Sequence, residues 1–313
     1  MKLWMGLLLV LFFEGCAKEV KMPHVENPKI AHTFQALWDA LNSDKLEHLP
    51  QNTVSFWKLG DIAKDSKRTL ESRADILAPF HKLAHPNGIC LKGLWQIDVE
   101  NPYGGYFKKG SKALIVMRAS SALSETKAGG FRAFGFAGKL FPTMKPSAVI
   151  QERTANFFLI DDLGGTQARY YTDTAMSNEP EVSVTREVLK NLAYALKVAG
   201  AFSKADKHSG IRQLYEVSYL GEGQSKNIIT PKWMKVQAQK TELVDAKDFR
   251  DELRIKAKKG LVFDIFVASK EVKGQKSWQK IGTIALDDAV VSGSCDQRLH
   301  FHHPGWRDDL IYY

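Results

Sequence analysis

Cysteine occurs only three times in 313 residues, at Cys16, Cys90 and Cys295, so the chain is not a disulfide scaffold. With Gly 23 and Pro 11 it is neither collagen-like nor of low complexity. After the first residues no run is apolar enough to cross a bilayer, which takes ~20 residues. Walker A, G-x-S-x-G and H-E-x-x-H patterns are missing, which removes the simplest routes to nucleotide, serine-esterase or zincin chemistry. No repeat of propeller or solenoid period is present, and the Gly-Gly pairs at 104–105, 129–130 and 164–165 open no βαβ unit, so they read as turns.

What is present begins with an address. Met1-Lys2 precedes an apolar run, Leu3 to Phe13, followed by Gly15 and Cys16. A short apolar core, then a small residue before a thiol, fits an export signal (residues 1–15) with Cys16 as a lipidated N-terminus. The alternative is an ordinary exported signal or short anchor, with Cys16 incidental. Residues 16–29 are polar and contain proline, as a tether would, and 30–313 form the main domain. The expected location is the bacterial cell envelope, lipid-anchored and facing the periplasm. In an oxidising compartment Cys90 and Cys295 could pair, or each could be a small buried residue. The net charge of +9 suits anionic partners such as nucleic acid, lipid headgroups or a cofactor's carboxylates without choosing among them. Export argues against nucleic acid, and Arg254 to Lys259 reads as a solvated helix face.

Apolar spacing predicts helices over 30–49, 60–77, 180–205 and 245–258. Short β-branched and aromatic runs predict strands at 89–99, 112–120, 131–141, 148–161, 213–221, 232–240, 261–270 and 278–286. The fold class is α+β. Four strands, helices, then four strands point to an eight-stranded antiparallel β-barrel with helical insertions, whose closure removes exposed edges. In His300-Phe301-His302-His303 a strand would turn His300 and His302 to one face, where two imidazoles could begin a metal site. A third ligand is missing, so a polar strand end before Pro304 is favoured and no metal site is assigned.

The first strand block carries ordered motifs. His85-Pro86-Asn87-Gly88-Ile89-Cys90 begins the first strand, and Met117-Arg118-Ala119-Ser120-Ser121 ends the second, with Glu125 beyond it. Phe134-Gly135-Phe136-Ala137-Gly138-Lys139 fills the third, and Asn156-Phe157-Phe158-Leu159-Ile160-Asp161 the fourth. This collinear order resembles the catalase superfamily, in particular its small catalase-related branch. The likeness spans roughly residues 75–165, and more loosely 210–306 through Leu261 to Val267, Ile281 to Leu286 and Leu299 to Trp306.

The resemblance implies a catalase-like barrel, with haem as cofactor and hydrogen peroxide or organic hydroperoxides as substrate. It makes His85 the acid/base that shuttles a proton between peroxide oxygens and Arg118 the clamp on a haem carboxylate. Phe136 and Phe158 become barrel wall. Without the resemblance, His85 reads as a strand-start histidine bonded to a backbone group, and Arg118 as a surface ion pair with Glu125. Three departures stand beside the matches. Glu152 or Arg153 occupies the place of the distal Asn, Lys82 replaces an arginine three residues before the histidine, and no proximal-Tyr helix follows the barrel. Tyr312 and Tyr313 are the tyrosines after Trp306, and a chain terminus is a poor place for an iron ligand. Two readings follow: a haem-dependent envelope enzyme, or a non-catalytic lipid-anchored protein of the same fold that has lost the haem ligand and binds a small apolar ligand or a partner.

Overall fold

The computed structural model describes residues 24–26, 28–50, 52, 74–80, 82, 85–121, 126, 134–143, 155–159, 219–220, 231, 233–239, 244–273 and 275–301. Within them the β-branched and aromatic runs form strands, because such side chains pack well on a pleated surface. In chain order the strands are β1 (Gly88–Ile97), β2 (Lys112–Ser121), β3 (Phe134–Pro142), β4 (Ala155–Leu159), β5 (Tyr219–Leu220), β6 (Trp233–Ala238), β7 (Leu261–Ala268), β8 (Glu271–Val272), β9 (Gln275–Lys276) and β10 (Gln279–Val290). The helices are α1 (Pro28–Asn42), α2 (Phe249–Lys258) and α3 (Gly293–Gln297).

Six strands of six or more residues form one antiparallel sheet in the order β3-β2-β1-β10-β7-β6, and the short β4 and β5 continue it beyond β3. β8 and β9 make a separate hairpin. Six of the expected strands correspond to the six long ones, and within the runs expected at 148–161 and 213–221 the described strand residues are Ala155–Leu159 and Tyr219–Leu220. The pairings among the described residues leave β5 and β6 as edges, so the expected closure into a barrel is not among them.

Both faces of the central strands are buried. One face contributes Ile89, Leu91, Trp95, Ile115, Met117, Phe263, Ile265 and Leu286 to the larger core. α2 packs on that face through Phe249, Leu253 and Ala257, spaced four apart on one helical stripe. Asp248 caps this helix by accepting from the Arg250 N–H at 2.8 Å, and Lys256 and Lys258 sit in its last turn, where positive charge suits the dipole. The opposite face of β1–β3 carries Cys90, Leu114, Val116 and Phe141, covered by Phe34, Leu37, Trp38 and Leu41 of α1. This second covering explains why β2 is buried at nine consecutive positions rather than alternately.

A β-bulge adds one residue to β10 opposite Lys92 and Gly93, leaving Asp287 outside the pairing. Gly93 is required there: a Cβ would lie 2.0 Å from the Ala285 carbonyl oxygen.

Several expectations change. The first helix covers 28–42 rather than 30–49, and the basic helix starts at Phe249, four residues later than expected, after the Asp248 cap. Of the helix expected over 60–77, residues 74–77 are described and are not helical; Ile76 instead bridges to Leu299. His300 does not lie on a strand; its backbone N–H donates to the Asp75 carbonyl at 2.9 Å. His302, His303, the helix at 180–205, Cys16 and the tyrosines at 312 and 313 lie outside the described residues.

Candidate functional site

The two residues singled out by sequence, His85 and Arg118, meet. Alternation along β2 turns Arg118 and Ser120 to the face covered by α1 and α3, while Ala119 joins the core on the other face. Ser120 pairs with Gly88 on β1 and with Gly135 on β3. These two glycines make the room. A Cβ on Gly88 would lie 2.5 Å from Arg118 Cζ, and one on Gly135 would lie 2.8 Å from His85 Cε1. The guanidinium and the imidazole therefore lie against bare backbone on either side of Ser120.

Arg118 is buried, with 5% of its side chain exposed, and its Nη2 donates to Asp296 Oδ1 at 2.7 Å and to the His85 carbonyl at 2.9 Å. Its Nε is buried without a partner. Asp296 is the acidic residue of α3, a short helix capped by the Ser292 hydroxyl. Its Oδ2 accepts from Asn52 Nδ2 at 3.4 Å. Burial raises the Asp296 carboxyl above its ordinary range, and the charge of Arg118 opposes that rise.

The His85 backbone is left-handed at φ 59, an uncommon state for a residue that is not glycine. Its Nδ1 shares a hydrogen bond of 3.1 Å with Ser120 Oγ, and its Nε2 is buried without a partner. Burial, and then the neighbouring Arg118 charge, pull the imidazole down to about 4, so it is neutral at neutral pH. Lys82 donates to the Leu299 carbonyl at 3.1 Å, and burial followed by repulsion from Arg118 lowers its ammonium well below the usual lysine range. Asn87 and Asn52 close the group with two bonds, Asn52 N–H to Asn87 Oδ1 at 2.7 Å and Asn87 Nδ2 to the Asn52 carbonyl at 2.9 Å.

A disulfide runs beside the ion pair. Cys90 and Cys295 are bonded and fully buried. Cys90 is the register partner of Arg118, and Cys295 directly precedes Asp296. The disulfide thus ties α3 to β1, and the ion pair ties it to the neighbouring β2.

Arg118 is not on the surface as one sequence reading had it; it is buried and pairs with Asp296, and Glu125 lies outside the described residues. The His85 ring bonds Ser120, with its Nδ1 3.1 Å from the side-chain hydroxyl. Phe136 does form part of the core, packed edge-to-face on Phe263 with ring centroids 5.1 Å apart. The side chains of Phe158 and Asn156 lie outside the described set, as do Glu152 and Arg153. Asp296 was not legible because it stands 178 residues from Arg118, in a stretch without a motif. The one signal that could have found it is Cys295 beside it, had the pairing with Cys90 been known.

Haem, which the motif resemblance implies, needs a free basic fork for its carboxylate at Arg118. The residues present do not fit that role: the guanidinium is buried and its Nη2 is engaged by Asp296 and the His85 carbonyl. Among the described residues no group of three or more His, Cys, Asp or Glu could hold a metal ion.

No family model matches the chain, and no curated protein matches it. Among solved structures, a bacterial catalase superposes with a TM-score of 0.39 at 11% identity, over 87% of this chain and 54% of the catalase. The chain thus spans about half the length of that protein.

Proposed function

We propose that the chain is a non-catalytic, lipid-anchored envelope protein built on a catalase-like barrel frame, in which the haem-carboxylate clamp has become an internal structural pair. The Arg118–Asp296 contact of 2.7 Å carries this reading. A protein carboxylate holds the place where the motif resemblance would put a haem carboxylate. The disulfide beside it favours the same reading, because a bond that fixes α3 against β1 keeps Asp296 in that place.

The disulfide also supports an exported location, since such bonds persist in oxidising compartments. Residues 1–16 supply the signal and the acylated Cys16 of this reading. In it, the eight strands close into the full barrel, and the protein acts by presenting its surface or interior to a partner or a small apolar ligand.

One observation favours the enzymatic reading instead. His85 Nε2 is buried, unpartnered and on a neutral ring, as a proton shuttle for peroxide or an organic hydroperoxide would need. Peroxide consumption separates the two. The purified full chain, supplied with haem, is expected to consume hydrogen peroxide no faster than its His85→Ala variant. Turnover that depends on His85 would establish the enzymatic reading.

A further inference from the structure

α1 and α3 cover the outward side of β1 to β3. The outward side of β6, β7 and β10 has a different character. Trp233, Lys235, Phe266 and Trp278 are half-buried there. Lys235 Nζ stands 4.4 Å from the Trp278 ring centroid and 5.3 Å from that of Phe266, while Lys276 Nζ stands 5.1 Å from Trp233. These ammonium groups lie over ring faces, a favourable contact when partly desolvated.

The β8–β9 hairpin adjoins this face. Val272 on it is 64% exposed, well above the 37% of Val99, the other large hydrophobic exposed among the described residues. Lys270 and Lys273 flank it and are exposed. Lys276 follows, Lys280 is paired with Asp264 at 2.8 Å, and Glu271 is the one acidic residue from 270 to 280. An aliphatic side chain on a hairpin, ringed by lysines and backed by tryptophans, contributes little to folding. That combination matches the interface of an anionic bilayer: apolar atoms enter the headgroup layer, ammonium groups meet phosphates, and indole rings suit the boundary.

We propose that the β8–β9 hairpin rests on an anionic phospholipid surface, with Val272 entering the headgroup layer and Lys270 and Lys273 facing lipid phosphates. A nucleic acid would offer the same charge but no apolar layer for Val272, and the rings it would stack on are covered by Lys235 and Lys276. This contact does not require acylation of Cys16.

The test is vesicle binding by the full chain, using phosphatidylcholine alone and phosphatidylcholine mixed with phosphatidylglycerol. The apolar N-terminus contributes to both, so the reading is the increment for anionic vesicles. Each lysine near such a surface adds about fivefold in affinity. Replacing Lys270 and Lys273 by Glu is expected to cut that increment at least about 25-fold. Val272→Asp is expected to reduce it further, and amide exchange at 270–276 is expected to slow on anionic vesicles. Equal binding to both vesicle types, or an increment unchanged in the lysine variant, would overturn the proposal. An increment insensitive to Val272→Asp, matched by equal affinity for a soluble polyanion, would overturn the choice of lipid.

Discussion

Arg118 holds a permanent charge where its side chain is 5% exposed, opposite a carboxylate 2% exposed. Breaking such a pair from one side leaves an uncompensated buried charge, which costs about 3–5 kcal/mol. Asp296→Ala is therefore expected to lower unfolding free energy by about 3 kcal/mol or more in a urea titration. Replacing Arg118 and Asp296 together with apolar residues should cost much less, because no lone charge remains. His85 gives a prediction in pH. Its folded value of about 4 lies below its ordinary 6.5, so between those two values the unfolded chain binds a proton that the folded chain does not. Stability from this residue is full above about 6.5 and falls as the pH drops towards 4, by about 3 kcal/mol in all. Asp296 pulls the other way, since its raised carboxyl takes up a proton first in the folded state. Subtracting the curve of His85→Gln from that of the wild type isolates the histidine, and the difference is expected to shrink as the pH falls. At this scale the sequence singled out His85 and Arg118, which the structure brings together. It did not single out Asp296, the carboxylate paired with Arg118, because proximity across 178 residues is a property of packing rather than of any local pattern.

The elements bring those residues together through two glycines and one disulfide. Gly88→Ala would place a methyl carbon 2.5 Å from the Arg118 guanidinium carbon and push it off Asp296. Overpacking of this kind costs about 1–3 kcal/mol, and a melting curve is expected to show a loss in that range. The disulfide joins residues 205 apart in sequence. A loop of that length constrains the unfolded chain by about 5 kcal/mol in the chain-entropy account. Paired Cys90→Ala and Cys295→Ala substitutions should therefore lower the denaturation midpoint more than Gly88→Ala does, with urea denaturation as the measurement. Strand positions were legible, because β-branched and aromatic runs carry their own signal. The bulge opposite Gly93 and the hairpin at 271–276 were not. The first depends on which residues oppose each other. The second contains two-residue strands too short to show a period. The helix boundary at Asp248 was readable in principle, since Asp followed by acidic residues is an N-cap pattern.

The described residues form an antiparallel sheet whose β1 to β3 are covered on one face by α1 and α3, with the main core and α2 on the other face. The class and the order of strands were legible because hydrophobic texture changes along the chain from helical to strand-like and back. The expected closure into a barrel is not among the described pairings, which leave β5 and β6 as edges; pairing between distant strands leaves no local mark in a sequence. The proposed function rests at this scale on the buried Arg118–Asp296 pair. The most direct measurement is the visible absorption spectrum of the full chain, purified after expression with ample haem. The account predicts no Soret band in stoichiometric amount, for the wild type and for His85→Ala alike. A stoichiometric band in the wild type would contradict it, and its weakening or shift in His85→Ala would place the haem beside that residue.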